Sequence, residues 1–101
     1  MSRLASLDIT TDRDSGGQIR LIASGELDIA TCELLDVAIR SAATETGRTI
    51  VDLRELDFCD SSGLALLLRA RRRHPSLTIL PGDSLMRLAK LARVEAQLFG
   101  A

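Results

Sequence analysis

The chain has 101 residues, 46% of them hydrophobic and 27% charged, with a formal net charge of −1. That length suits one domain with its own core, and the charge balance excludes a global field that would recruit nucleic acid or an anionic membrane. Phe58 and Phe99 are the only aromatic residues, so the platforms on which bases stack are missing too.

Leu4 to Thr10 alternates apolar and polar, with Leu7 and Ile9 opposite Asp8 and Thr10, the pattern of a half-buried strand. Asp12 to Gly17 is a turn cluster with adjacent glycines. Gln18 to Ser24 alternates again, with Ile19, Leu21 and Ala23 on one side, so the two runs read as a hairpin. Gly25 ends the second strand. Ala30 to Thr46 follows as an amphipathic helix with Leu34, Val37, Ala38 and Ala42 on its apolar face. Asp28 or Thr31 caps that helix, and Gly47 stops it.

Thr49 to Leu53 is short, apolar and β-branched, the signature of a central strand. Arg54 to Asp60 reads as a connection. Ser62 to Arg73 is a second helix, dense in leucine from Leu64 to Leu68, and Pro75 forbids its continuation. Its basic end, Arg69 to His74, reads as a solvated helix terminus matched to the helix dipole. Leu77 to Leu80 is another core strand and Pro81-Gly82 a turn. A third helix begins at Asp83 or Ser84, with Leu85, Leu88, Ala89 and Ala92 at helical spacing. Gln97 to Phe99 reads as a short last strand. The order is β-β-α-β-α-β-α(-β). Strands separated by helices imply parallel crossovers, so the fold class is α/β: a mixed four- to five-stranded sheet with three helices packed on it.

Met1 to Thr10 lacks the apolar stretch of a secretory leader, and the run Leu64 to Leu68 is far short of the ~20 residues a membrane span requires. The expectation is a single cytoplasmic domain, residues 1–101, without membrane insertion. Cys32 and Cys59 form no CxxC pair, and with His74 the lone histidine no zinc set is available. They read as two reduced, mostly buried thiols; a disulfide would need their Cα atoms within ~7 Å. No metal and no cofactor is called for.

Two segments stand out chemically. Gly25-Glu26-Leu27-Asp28, with Thr31 and Leu34 beyond it, resembles the strand-to-helix motif of STAS domains. Asp57-Phe58-Cys59-Asp60-Ser61-Ser62-Gly63-Leu64 resembles the phosphoacceptor turn of the same family, and Ile50-Val51-Asp52-Leu53 precedes it at the family's spacing. The resemblance covers residues 18 to 99, nearly the whole chain. It departs from the family at two points. A Gly-Gly turn usual before the fourth strand is replaced by Arg73-His74-Pro75-Ser76, and the usual C-terminal helix after the last strand is not foreseen before Ala101.

The resemblance implies an anti-sigma factor antagonist. Such a protein binds an anti-sigma factor that is a serine kinase, with ATP held by that partner, and so governs sigma-factor-dependent transcription in a bacterial stress response. It implies phosphorylation of Ser61 as the off-switch, a serine phosphatase as the reset, and Glu26, Asp28, Thr31, Asp60, Ser61, Ser62, Gly63 and Leu64 as the partner-binding set. A monomer or weak dimer is expected.

The residue types support that chemistry on their own terms. A serine at a helix start sits among unpaired backbone N–H groups, which can hold a phosphate. Gly63 presents no Cβ to an approaching partner. A phosphoserine carries about −1.5 to −2 charges near neutral pH, beside Asp60 and near Glu26 and Asp28. Each residue also has a plain structural role: Asp60-Ser61-Ser62 as a helix cap, with the Ser62 hydroxyl capping while Ser61 points outward, Asp28 as a cap, Glu26 as a solvated strand-end charge, and Thr31 as a helix-start residue. A catalytic serine is disfavoured because the G-x-S-x-G elbow is absent and His74 lies at the far end of the same helix, ~18 Å away at 1.5 Å per residue. A different binding class, a STAS subunit of a lipid or anion transport complex docking on an ATPase, uses the same fold; the intact serine turn disfavours it.

Overall fold

The computed structural model describes residues 6–45 and 48–100. Leu4, Ala5, Thr46 and the helix-stopping Gly47 lie outside the described residues. The elements are β1 (Leu7–Arg13), β2 (Ile19–Leu27), α1 (Cys32–Glu45), β3 (Thr49–Cys59), α2 (Ser61–Arg73), β4 (Leu77–Pro81), α3 (Asp83–Ala92) and α4 (Glu95–Phe99). The sheet order is β1-β2-β3-β4, with β1 antiparallel to β2 and the other pairs parallel. This is the mixed α/β sheet expected from the pattern of hairpin and crossovers, with four strands and four helices among the described residues.

One face of the sheet makes the core. Ile19, Leu21, Ala23 and Leu27 of β2, Val51 and Leu53 of β3, and Leu77 and Ile79 of β4 are buried against the helices. The α2 helix touches α1, α3 and α4, which puts all four helices in one layer. The opposite face holds Arg20, Ile22, Ser24, Ile50 and Leu80, each partly exposed.

Asp52 is the exception on that open face, only 4% exposed. The Arg54 guanidinium grips it with Nε to Oδ1 at 2.9 Å and a terminal nitrogen to Oδ2 at 2.7 Å, and Arg20 stands 3.7 Å away. The Arg54 hydrogen bonds hold the Asp52 carboxyl below its ordinary value of 3.8, against the upward push of burial. A depressed folded-state value adds stability above the ordinary carboxyl range and loses it as pH falls through the folded value. The urea midpoint is therefore expected to drop below about pH 4. Asp52→Asn should lower the midpoint at pH 7 and flatten the acid decline; a variant that declines as steeply as the wild type would show that Asp52 is not the group responsible.

Several expectations are corrected. The Arg54–Asp60 connection is mostly strand: β3 runs on to Cys59 beside β2, beyond its last pairing with β4 at Leu53↔Pro81. Register shifts lie between Ile22 and Ser24 and between Gly25 and Glu26, each adding one residue to β3. Burial there recurs at Leu53, Leu56 and Cys59, every third residue, so the alternation that identifies a strand disappears.

The apolar face of α1 is Leu35, Ile39 and Ala42, while Leu34 and Val37 are exposed. The terminal strand at Gln97–Phe99 is instead the short helix α4, so a C-terminal helix is present after all. Leu98 anchors it in the core. Arg71, read as part of a solvated basic end, donates to the carbonyls of Leu98 (3.2 Å), Pro75 (3.0 Å) and Gly100. It satisfies carbonyls at the end of α4 that no further helical turn would reach.

Candidate functional site

Parallel pairing of β2 with β3 brings the two sequence motifs side by side. Glu26 lies opposite Phe58, Leu27 opposite Cys59, and the Asp60 N–H donates to the Leu27 carbonyl at 3.1 Å. Both strands end here, one feeding the loop into α1 and the other the first turn of α2.

The first loop is tied by its own side chains. Asp28 Oδ1 accepts from the amides of Ala30 (3.0 Å) and Thr31 (3.2 Å). The Thr31 hydroxyl donates to the Glu26 carbonyl at 2.7 Å and accepts from the Asp28 N–H at 3.0 Å. Thr31 is 3% exposed. Asp28 thus caps the chain entering α1, and Thr31 ties that entry back to β2.

The second loop is a helix start. Asp60, in extended conformation, is the N-cap: its Oδ1 accepts from the amides of Ser62 at 2.9 Å and Gly63 at 3.1 Å. The capping role assigned to the Ser62 hydroxyl therefore belongs to the Asp60 carboxylate. Ser61, the first residue of α2, is exposed; Ser62 is half-buried. Two of the first-turn amides that a phosphate on Ser61 was expected to use are already occupied by Asp60.

Gly63 faces inward. A Cβ there would meet Leu27 Cγ at 2.7 Å and Cys59 Sγ at 3.0 Å. Its lack of a side chain lets α2 lie close on β2 and β3, which replaces the expected approach of a partner. Leu64 is 7% exposed. Thr31, Gly63 and Leu64, named from the sequence as partner contacts, are thus withdrawn from the surface. Ser61, Glu26, Asp28, Asp60 and Ser62 retain accessible area.

Both cysteines lie at this end and are free. Cys59 is buried, and that burial, reinforced by Asp60, pushes its thiol up to about 11. Cys32, at the start of α1, is half-buried and packs against the core, in keeping with two reduced, mostly buried thiols.

Two exposed apolar residues flank the acidic groups and escaped the sequence reading as surface features: Ile29, 79% exposed, and Phe58, 49% exposed. Leu56 and Phe58 look like neighbours on one strand face. The extra residue at Asp57 turns Phe58 outward while Leu56 stays in the core. The arrangement has the makings of a contact surface: the exposed Ser61, carboxylates around it and two apolar side chains. Among the described residues no group of His, Cys, Asp or Glu is placed to hold a metal ion, and no helix is long and apolar enough to cross a membrane. His74 caps the far end of α2 from Ser61.

The sequence profile of the family described as "Mlab, STAS domain" matches residues 10–98. No curated protein sequence matches significantly. An anti-sigma factor antagonist from Mycobacterium paratuberculosis has a similar structure, with a TM-score of 0.81 at 21% identity over 97% of this chain and 87% of that one. The unphosphorylated form of the anti-sigma factor antagonist SpoIIAA gives a TM-score of 0.68 at 19% identity, over 86% of this chain and 82% of that one. An antisigma-factor antagonist STAS domain from Rhodobacter sphaeroides gives 0.59 at 21% identity, over 73% and 85%.

Proposed function

The chain belongs to the STAS domain family, and from that premise we propose that it is an anti-sigma factor antagonist switched by phosphorylation of Ser61. The observation that carries this reading is the position of Ser61. It is the exposed first residue of α2, set where β2 and β3 end and fixed by the Asp60 cap. A serine in that place can enter a kinase active site without unfolding anything. The likeness of the fold to structures described as anti-sigma factor antagonists supports the same reading.

The partner is an anti-sigma factor with serine kinase activity, and ATP is held by that partner. A serine phosphatase returns the protein to its binding form. Glu26, Asp28, Asp60, Ser61 and Ser62 form the polar part of the contact, with Ile29 and Phe58 as its apolar part. The domain acts by binding and not by turnover, in the cytoplasm, upstream of sigma-factor-dependent transcription.

Incubation with the host's anti-sigma serine kinases and ATP, followed by intact mass measurement, tests this. One added phosphate is expected on the wild type, located at Ser61, and none on Ser61→Ala, which should still bind the kinase. A phosphate retained by Ser61→Ala would remove Ser61 from the role. Capture of a transport ATPase in place of a kinase would favour the transport-subunit reading.

A further inference from the structure

We infer that the outer face of α1 is a self-association surface through which two copies of this chain pair, with their α1 helices antiparallel. The residues on that face are Ala30, just before the helix, then Leu34, Val37, Ser41 and Thr44, all exposed. Their spacing of 4, 3, 4 and 3 is the 3.5-residue repeat of a helix-pairing seam. Leu34 is 56% exposed and Val37 53%, which is unusual for two large aliphatic side chains one turn apart. The core of this domain does not use them, because Leu35, Ile39 and Ala42 already bury the opposite face of α1.

A second copy fits this seam better than an arbitrary apolar partner because the charges complement themselves under a two-fold axis. Glu33 and Arg40 are both exposed, seven residues apart and so on the same flank of the seam. In an antiparallel pair, like flanks face each other. Glu33 of one copy then meets Arg40 of its partner, and the axis repeats the pair. The same register sets Leu34 against Val37 twice at the centre and Ala30 against Ser41 twice at the ends. Small residues at the ends let the helices approach, and the aliphatic pair supplies the apolar contact. In a parallel pair this flank would face the other flank of the partner, Ala38 and Glu45, and Glu45 is already held by Arg13 at 2.8 Å. Within one copy Arg40 also holds Asp36 at 3.2 Å, which fixes the guanidinium beside the seam.

The contact is one helix long, about 21 Å at 1.5 Å per residue for 14 residues. A surface of that size belongs with weak, reversible interfaces, so pairing is expected at tens to hundreds of micromolar. It does not depend on the antagonist reading.

Sedimentation equilibrium of the full chain from ~1 to ~500 µM tests the proposal across that range. The average mass should climb from one chain toward two. Leu34→Glu should keep the protein monomeric throughout, with an unchanged circular dichroism melt because the side chain lies outside the core. Glu33→Arg should raise the dimer dissociation constant roughly tenfold or more, since two attractions become two repulsions. The double swap Glu33→Arg with Arg40→Glu should return it toward the wild-type value. A mass of one chain at every concentration would overturn the inference. So would a dimer that survives Leu34→Glu, or a swap that fails to restore what the single reversal removed. If the wild type stays monomeric and Leu34→Glu abolishes capture of the kinase, the stripe serves that partner and the second copy is ruled out.

Discussion

Gly25→Ala is expected to destabilise the fold by about 2–4 kcal/mol, the sum of left-handed backbone strain and overpacking. The backbone at Gly25 has φ +108, a region L-residues avoid, and a Cβ there would stand 2.5 Å from the Ser6 carbonyl oxygen. That oxygen cannot retreat freely, because it accepts the Glu26 N–H at 2.9 Å. Gly25 is also where the β2–β3 register slips by one residue, so displacing it moves Glu26 and the loop that Thr31 ties to it. For a domain of this size the loss corresponds to a fall in Tm of roughly 10–20 °C. Gly17→Ala separates the two causes. Gly17 has φ +83 but nothing within 4 Å of its Cβ position, so it carries the backbone strain without the clash. Its urea midpoint should fall by the equivalent of about 1 kcal/mol. Equal losses at both glycines would mean that the close approach of Ser6 costs nothing.

Gly25 also shows where the sequence was legible and where it was not. The alternation of Ile19, Leu21 and Ala23 marks β2 because side chains on a regular strand change face at each residue. The same rule fails at β3 after Leu53, where two bulges leave Leu56 and Cys59 buried and Arg54, Glu55, Asp57 and Phe58 exposed. A strand that pairs on one side and bulges twice carries no period for a reader to find. On α1, periodicity located the helix and placed Ala38 and Ala42 on the core side, but it missed Leu35 and Ile39 in favour of Leu34 and Val37: both pairs are apolar at helical spacing, and only packing on the sheet decides between them. The helix α4 was invisible for a different reason. Five residues are too few for a helical period, and what holds them is Arg71, 27 residues before Leu98. The site was easier to read, because its two motifs are strand ends. Local chemistry fixes them: Asp28 and Asp60 each accept the amides that follow. Which side chains of those motifs reach the surface was not legible, since the burial of Gly63 depends on how closely α2 lies on Leu27 and Cys59 and Thr31 is turned inward by its tie to the Glu26 carbonyl.

Ser61→Asp should weaken binding of the anti-sigma partner about a hundredfold, since one new charge ~6 Å from a partner carboxylate at an effective dielectric of ~20 costs roughly 3 kcal/mol. The Asp60 cap sharpens this expectation. Helix-start amides normally offset an anion, but those of Ser62 and Gly63 are held by Asp60 Oδ1 at 2.9 and 3.1 Å. A negative group at position 61 therefore adds to the Asp60 charge and faces outward. The fold should be untouched, because Ser61 is exposed and its side chain supports no neighbour in the cap. Calorimetric titration at two salt concentrations isolates the cause. The Debye length shrinks from ~10 Å at 0.1 M salt to ~3 Å at 1 M, so the penalty of the aspartate should lessen at high salt if it is electrostatic. Ser61→Asn, similar in size to the aspartate but uncharged, should bind within a few-fold of the wild type. If the asparagine variant loses as much affinity as the aspartate, the surface rejects bulk at position 61. A phosphate would then act as an obstacle, and the charge argument for the switch would fall.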